Sequence, residues 1–271
     1  MTAPSLGRLL ISHITLRGPE LAQLYALVLA QPCISYDVLA QTLLPDWTGS
    51  SAFGLEDATL REALNFLLVV GMLAQDGLSR RKASFRATPL LDELAFAPLL
   101  LHHIKSHDDQ RQRALSAIYR QLIADDTLSL TPAELRERME RGALQHLFTW
   151  TSEKISLWAH LLAYLGLIRR SEREAELLIL PRPELLMHAL RWASSQQTGT
   201  SLSAILTQID QQLFACFTSR GRVHKGLAHT LLTLEHQGQI SLRHSADAAH
   251  SVLLGERRVS DMQLQGSANG L

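Results

Sequence analysis

Arg80, Arg81, Lys82 and Arg86 fall within seven positions, with no acidic residue after Asp76. On a ribbon, alternation brings some of these cations to one face, where they could meet successive phosphates of a nucleic-acid backbone. A solvated, charged hairpin tip that keeps a strand edge from aggregating would have the same composition. The sequence leaves both open. Arg61 and Asn65 stand four apart on a helical stretch and carry the forked donors and acceptors that read base edges. Their helix starts at Glu56 and Asp57, which would repel phosphates. A second helical start offers Thr151, Ser152, Lys154 and Ser156 with Glu153 among them. A third is preceded by Arg220, Arg222, His224 and Lys225, all of the right sign. The candidate contacts to nucleic acid are therefore Arg61, Asn65, Arg80, Arg81, Lys82, Arg86, Arg222 and Lys225. For each helix the competing expectation is an ordinary solvated face.

Other chemistry finds less support. His102, His103 and His107 share one helical stretch, but a zinc site needs three or four ligands and no cysteine lies near. They are read as exposed residues at a polar helix end, and no metal is expected. His224, His229, His236, His244 and His250 have no ligand-like spacing. Cys33 and Cys216 sit far apart in apolar settings and read as small buried thiols. Ser79 and Lys82 match S-x-x-K, but on a basic hairpin without companion motifs. No glycine-rich phosphate loop, HExxH or GxSxG occurs. A non-catalytic protein without a cofactor is expected.

The totals narrow the partners. A chain of 271 residues suggests two or three compact units. With 46% hydrophobic and 19% charged residues it has the material for buried cores. Lys plus Arg and Asp plus Glu each total 26, so the net charge is zero. A protein whose whole surface grips nucleic acid is basic overall, so any DNA contact must come from a local patch. No run of ~18 apolar residues suggests a membrane span. The stretch MTAPSLGRLLISHITLRG has no small-residue cleavage site. A cytoplasmic protein is expected.

The elements that would position these residues can be read from periodicity and stops. A helix from Pro19 ends at Pro32, a second spans Tyr36–Leu44, and residues 46–54 form a loop. A third runs through Leu60, Leu64 and Leu67 to Gly71, followed by strands Met72–Gln75 and Ala83–Thr88 around an Asp76-Gly77 turn. A helix follows from Pro89, kinked or split at Pro98, and another reaches Ala124. Thr131, Pro132 and Glu134 form a capping box for a short helix. Residues 152–165 make a helix stopped at Gly166, with strands 167–170 and 176–180 beyond it. The charges of that ribbon alternate in sign and read as self-neutralising surface or a protein contact. A closing helix starts at Pro183, and the polar stretch 194–200 reads as a linker. Two further helices are expected within 202–225, then the stripe Leu227, Leu231, Leu234. Strands 239–244 and 251–255 pair, and the tail from Gln265 is too polar to order by itself.

One corner recurs. Gly71, Gly166 and Gly238 are each preceded four positions back by Leu67, Leu162 or Leu234, and followed two positions on by Leu73, Ile168 or Ile240. A helix delivers a core side chain, stops at glycine, and reverses into a strand beginning with another core residue. The order resembles the winged helix-turn-helix superfamily in tandem, best in LNFLLVVGML and RKASFRATP of the first unit. That resemblance implies a mainly α fold with short antiparallel hairpins and units at 1–108, 109–195 and 196–271. It implies a third helix in the major groove and a wing on the backbone. Tandem arrays of this kind also look like accessory subunits of chromosome-organising complexes and like transcription and defence-complex subunits. The leading expectation is a non-catalytic subunit of a DNA-handling complex. It would touch duplex backbone through the basic wing and bind protein partners or itself. A dimeric transcriptional regulator and a purely protein-docking scaffold are the alternatives.

Overall fold

The computed structural model describes residues 9–43, 57–77, 83–88, 94–171, 176–245 and 250–265. The expected loop at 46–54, the basic residues 80–82, the start of a helix at Pro89 and the tail beyond Gln265 lie outside the described residues. Within them the chain is built of helices with small antiparallel sheets. The first repeat has α1 (Pro19–Ala30), β1 (Ile34–Ser35), α2 (Tyr36–Leu43), α3 (Asp57–Val69), β2 (Leu73–Asp76) and β3 (Ser84–Ala87). Its sheet runs β1-β3-β2, with Ile34 opposite Phe85 and Leu73 opposite Ala87. Then α4 (Phe96–Ser106) begins with Pro98 in its first turn, where a proline needs no acceptor, so no kink results.

The second repeat copies this order. It has α5 (Ala114–Ala124), β4 (Ser129–Leu130), α6 (Pro132–Arg141), α7 (Ser152–Leu165), β5 (Arg169–Arg170) and β6 (Leu177–Leu178), with sheet order β4-β6-β5. The capping box at Thr131 forms: Glu134 N–H donates to Thr131 Oγ1 at 3.2 Å and Thr131 N–H to Glu134 Oε2 at 2.7 Å.

The third repeat departs from the sequence reading. Only one helix, α9 (Leu202–Gln212), precedes α10 (Lys225–His236) within 202–225. The helix ahead of it is α8 (Pro183–Ser195), which packs on both α9 and α10. Residues 194–200 are no free linker. Ser194 and Ser195 end α8, Ser201 bridges Asp261, and Met262 N–H donates to Thr200 O at 2.8 Å. Ser201 thus holds the sheet position that β1 and β4 hold earlier. The strand pairing also differs: β7 (Ile240–Arg243) pairs with β10 (Asp261–Leu264), while β8 (Val252–Leu254) and β9 (Arg257–Val259) form their own hairpin.

The glycine corner is the same object three times. Gly71, Gly166 and Gly238 have φ of +82°, +85° and +69°, a left-handed conformation open to a residue without Cβ. Beyond each, the next N–H reaches back to the leucine carbonyl, Met72 to Leu67 at 3.0 Å, Leu167 to Leu162 at 2.9 Å and Gln239 to Leu234 at 2.9 Å. That is the bond that closes a helix end with a left-handed cap. The flanking Leu67, Leu162, Leu234, Leu73, Ile168 and Ile240 are all buried.

The repeats share one continuous set of buried residues. Leu10 N–H, ahead of α1, donates to Gln112 Oε1 at 2.7 Å, 102 positions along the chain. The histidines of α4, expected to be exposed, clasp helix ends instead. His103 Nδ1 lies 3.2 Å from Val70 O and His107 Nε2 3.0 Å from Val69 O, at the end of α3. His102 Nδ1 lies 3.0 Å from Gln212 O, the last carbonyl of α9. Each meets a carbonyl that its own helix leaves unbonded. Cys216 is buried as expected, but Cys33 is exposed, with φ +65° in the turn between α1 and β1.

Burial holds His103, His160 and His224 below the ordinary histidine pKa. Neighbouring His102 adds to the effect on His103. The unfolded chain, titrating near ~6.5, then takes up protons that the folded chain refuses. Stability is therefore full above that pH and falls as the pH drops below it. Melting curves between pH 7.5 and pH 5 should show a falling Tm. A His103→Gln, His224→Asn double variant should start lower and fall less steeply. Equal slopes for the two proteins would sink this account.

Candidate nucleic-acid interface

Among the cations singled out from the sequence, those described stand beside carboxylates more often than free. Arg86, on β3, projects toward Asp76 across the hairpin, Nε to Oδ2 3.2 Å. Arg61, on α3, bonds Asp57 one turn earlier at 2.6 Å and reaches Tyr36 Oη at 3.4 Å. The acidic start that was expected to repel phosphate therefore also occupies the arginine. Asn65 follows on the same helix, half-buried. It lines a small crevice with Tyr36, Arg61, Leu64, Gln75 and Phe85. Arg80, Arg81 and Lys82 lie outside the described residues, between β2 and β3 in sequence.

On α7, Thr151 caps the helix by accepting from Lys154 N–H at 3.5 Å. The Lys154 ammonium turns back to the Thr149 carbonyl and sits 5.0 Å from the Phe148 ring centroid. Ser152 takes a bond from Arg136 at 3.3 Å. These polar groups serve the helix end and the turn before it.

The third helical start is a contact between repeats. His224, expected to offer charge, is fully buried. Its Nδ1 accepts the Gly226 N–H at 3.1 Å, so its Nε2 carries the proton and donates to Thr127 O at 2.9 Å. Lys225 Nζ lies 3.1 Å from Asp126 Oδ2, and Lys225 N–H reaches Asp126 Oδ1 at 3.3 Å. Against the effect of partial burial, the bonds and charge of Lys225 hold the Asp126 carboxyl below the usual range. Thr230 Oγ1 donates to Pro181 O at 2.9 Å. The amino end of α10 is thus pressed against the second repeat. Arg220 and Arg222 remain exposed in the turn ahead of it.

The sequence reading missed one group of cations and one buried lysine. Arg169, Arg170 and Arg182 meet at one cleft, although the first two were read as self-neutralising surface. Residues 172–175 of that ribbon lie outside the described residues. Lys105 is tucked between α4, α5 and α9 with a buried Nζ that has no hydrogen-bond partner. Nothing local marks Lys105, since its surroundings come from three separate elements. Among the described residues no group of three or more His, Cys, Asp or Glu is placed to hold a metal ion. No helix among them is long and apolar enough to cross a membrane. Comparison with protein-family models, curated proteins and solved structures finds no match for this chain.

Proposed function

We propose that the chain is a non-catalytic tandem winged-helix subunit of a DNA-handling complex, touching duplex backbone through the basic hairpin of the first repeat. The observation that carries the reading is the repeated order helix, strand, helix, helix, strand, strand with the last strand central. That order stands in the first two repeats, and the first encloses Arg80, Arg81 and Lys82 between β2 and β3. Such a hairpin tip can reach phosphates without reading bases. The zero net charge fits a local contact rather than a wholly basic surface. The third helices of the repeats are poor base readers here. One has its arginine ion-paired, one turns its lysine back, and one is docked.

A second reading, a protein-docking scaffold without DNA, is favoured by the carboxylates beside Arg61, Arg86 and Lys225. A salt titration of duplex binding separates the two. Replacing Arg80, Arg81 and Lys82 together by Ala should weaken binding and reduce the salt slope by roughly 2 to 3, about 0.9 per lost phosphate contact. Unchanged affinity and slope would remove the hairpin from the interface. Absence of duplex binding at moderate salt would favour the scaffold, and strong preference for one palindrome a dimeric regulator.

A further inference from the structure

The junction of the first two repeats opens into a cleft of about 930 Å³. Its lining is partly apolar and aromatic, with Phe96 and Pro98 of α4 and Tyr164 at the end of α7. It also carries Arg169 and Arg170 of β5 and Arg182 at the amino end of α8. The fold forces this meeting. The left-handed stop at Gly166 turns the chain so that the two β5 arginines follow at once. The Arg182 stem lies over that glycine, its Cβ and Cδ 3.4 and 3.6 Å from where a Gly166 side chain would begin. Arg182 is also the N-cap of α8 and makes no side-chain capping bond there. The positive end of a 13-residue helix therefore faces the cleft without a side-chain acceptor.

Among the described residues none of the three arginines forms an ion pair with an acid. Arg170 donates to His160 Nε2, a neutral partner whose Nδ1 bonds Ser156 O. Arg169 has a buried Nε without any hydrogen-bond partner, an arrangement that native structures rarely leave unfilled. His188 adds a further ring, and among the described residues Glu184 is the one acid on the lining. An anion in the cleft would take forked, charge-assisted bonds from these side chains.

We propose that this cleft binds a nucleoside phosphate, with the phosphates between Arg169, Arg182 and the start of α8, and the base against Phe96 and Tyr164. Its volume falls in the range of pockets for ligands of this size. The mixed lining selects the class, because inorganic anions gain nothing from the aromatic rings and a plain apolar ligand would leave the arginines unanswered. This inference does not rest on DNA binding by the basic hairpin, since the two sites share no residue.

Calorimetric titration of the full chain with ADP, pyrophosphate and adenosine tests it directly. ADP should bind more tightly than pyrophosphate, and adenosine weakly or not at all. Arg182→Gln, at an exposed position that leaves the core intact, should weaken ADP binding by about ten-fold or more. The Arg169→Gln, Arg182→Gln double variant should abolish it. Tyr164→Ala should reduce ADP affinity while leaving pyrophosphate unchanged. No ADP binding at millimolar concentration, equal binding of adenosine, or undiminished binding by Arg182→Gln would each overturn the proposal.

Discussion

Replacing Gly226 with alanine is expected to cost about 3 kcal/mol or more, read as a fall of ~6 °C in Tm. Gly226 sits in the first turn of α10, and a Cβ added there would lie 2.0 Å from the Ile179 carbonyl oxygen and 3.1 Å from its carbon. That neighbour is backbone of the second repeat and cannot swing aside. Either α10 lifts from residues 179–181 or the strand end next to β6 moves. Lifting α10 also breaks Thr230 Oγ1 to Pro181 O and His224 Nε2 to Thr127 O, which act on the same contact. The loss should appear as early protease cleavage near the third repeat as well as in melting. Gly238→Ala is the control. Open space surrounds its Cβ, but its φ of +69° makes a side chain strained by about 1 kcal/mol. If Gly226→Ala melts like the control, the third repeat is not held by this contact.

The same residue shows where sequence reading reaches and where it ends. The corner at Gly71, Gly166 and Gly238 was legible because all its causes are local: a core leucine, a residue free to turn left-handed, a core residue beyond. The capping box at Thr131 was legible for the same reason. Gly226 carries no such mark, because a helix former would serve its own turn better. Only Ile179, 47 positions away, forbids it. The third repeat went astray similarly. Segment 194–200 is polar and looked like a boundary, but polarity there reports solvent on one side. The pairing of Thr200 and Ser201 with β10, some 60 positions on, is invisible to a local pattern.

For the candidate interface, charge counting identified the cations and missed what answers them. Asp57 and Asp76 were within reach of a local reading, as an i,i+4 pair and a hairpin neighbour. Asp126, which answers Lys225, was not, because the contact spans 99 positions. Arg169 and Arg170 were discounted by the alternating acids beyond them. Beyond the left-handed turn at Gly166 those two line the same cleft as Arg182.

Replacing Lys105 with methionine should stabilise the protein by about 2 kcal/mol at pH 7, or ~4 °C in Tm. Lys105 leaves α4 toward α5 and α9, with its Nζ buried and without a hydrogen-bond acceptor. Burial lowers its pKa to about 8 from 10.5, and the Arg120 charge pushes the same way against the opposing pull of Asp210 and Cys216. Asp210 cannot answer it fully, being held by Arg120 at 3.3 Å and by Cys216 N–H at 2.7 Å. The sign follows from proton balance. Between pH 8 and 10.5 the unfolded chain keeps a proton on this lysine that the folded chain has shed, so the lysine's contribution to stability improves as the pH rises through that interval. Below pH 8 the full cost of a buried ammonium is present. Methionine keeps the unbranched stem and removes the charge, so its advantage should be largest at neutral pH and shrink toward pH 10. The background titration of Tyr119, whose pKa burial raises, occurs in both proteins and cancels in the difference. A Met variant less stable than the parent at pH 7 would mean that the ammonium finds an acceptor at the junction of the three helices. Lys105 would then be holding the third repeat in place instead of straining it.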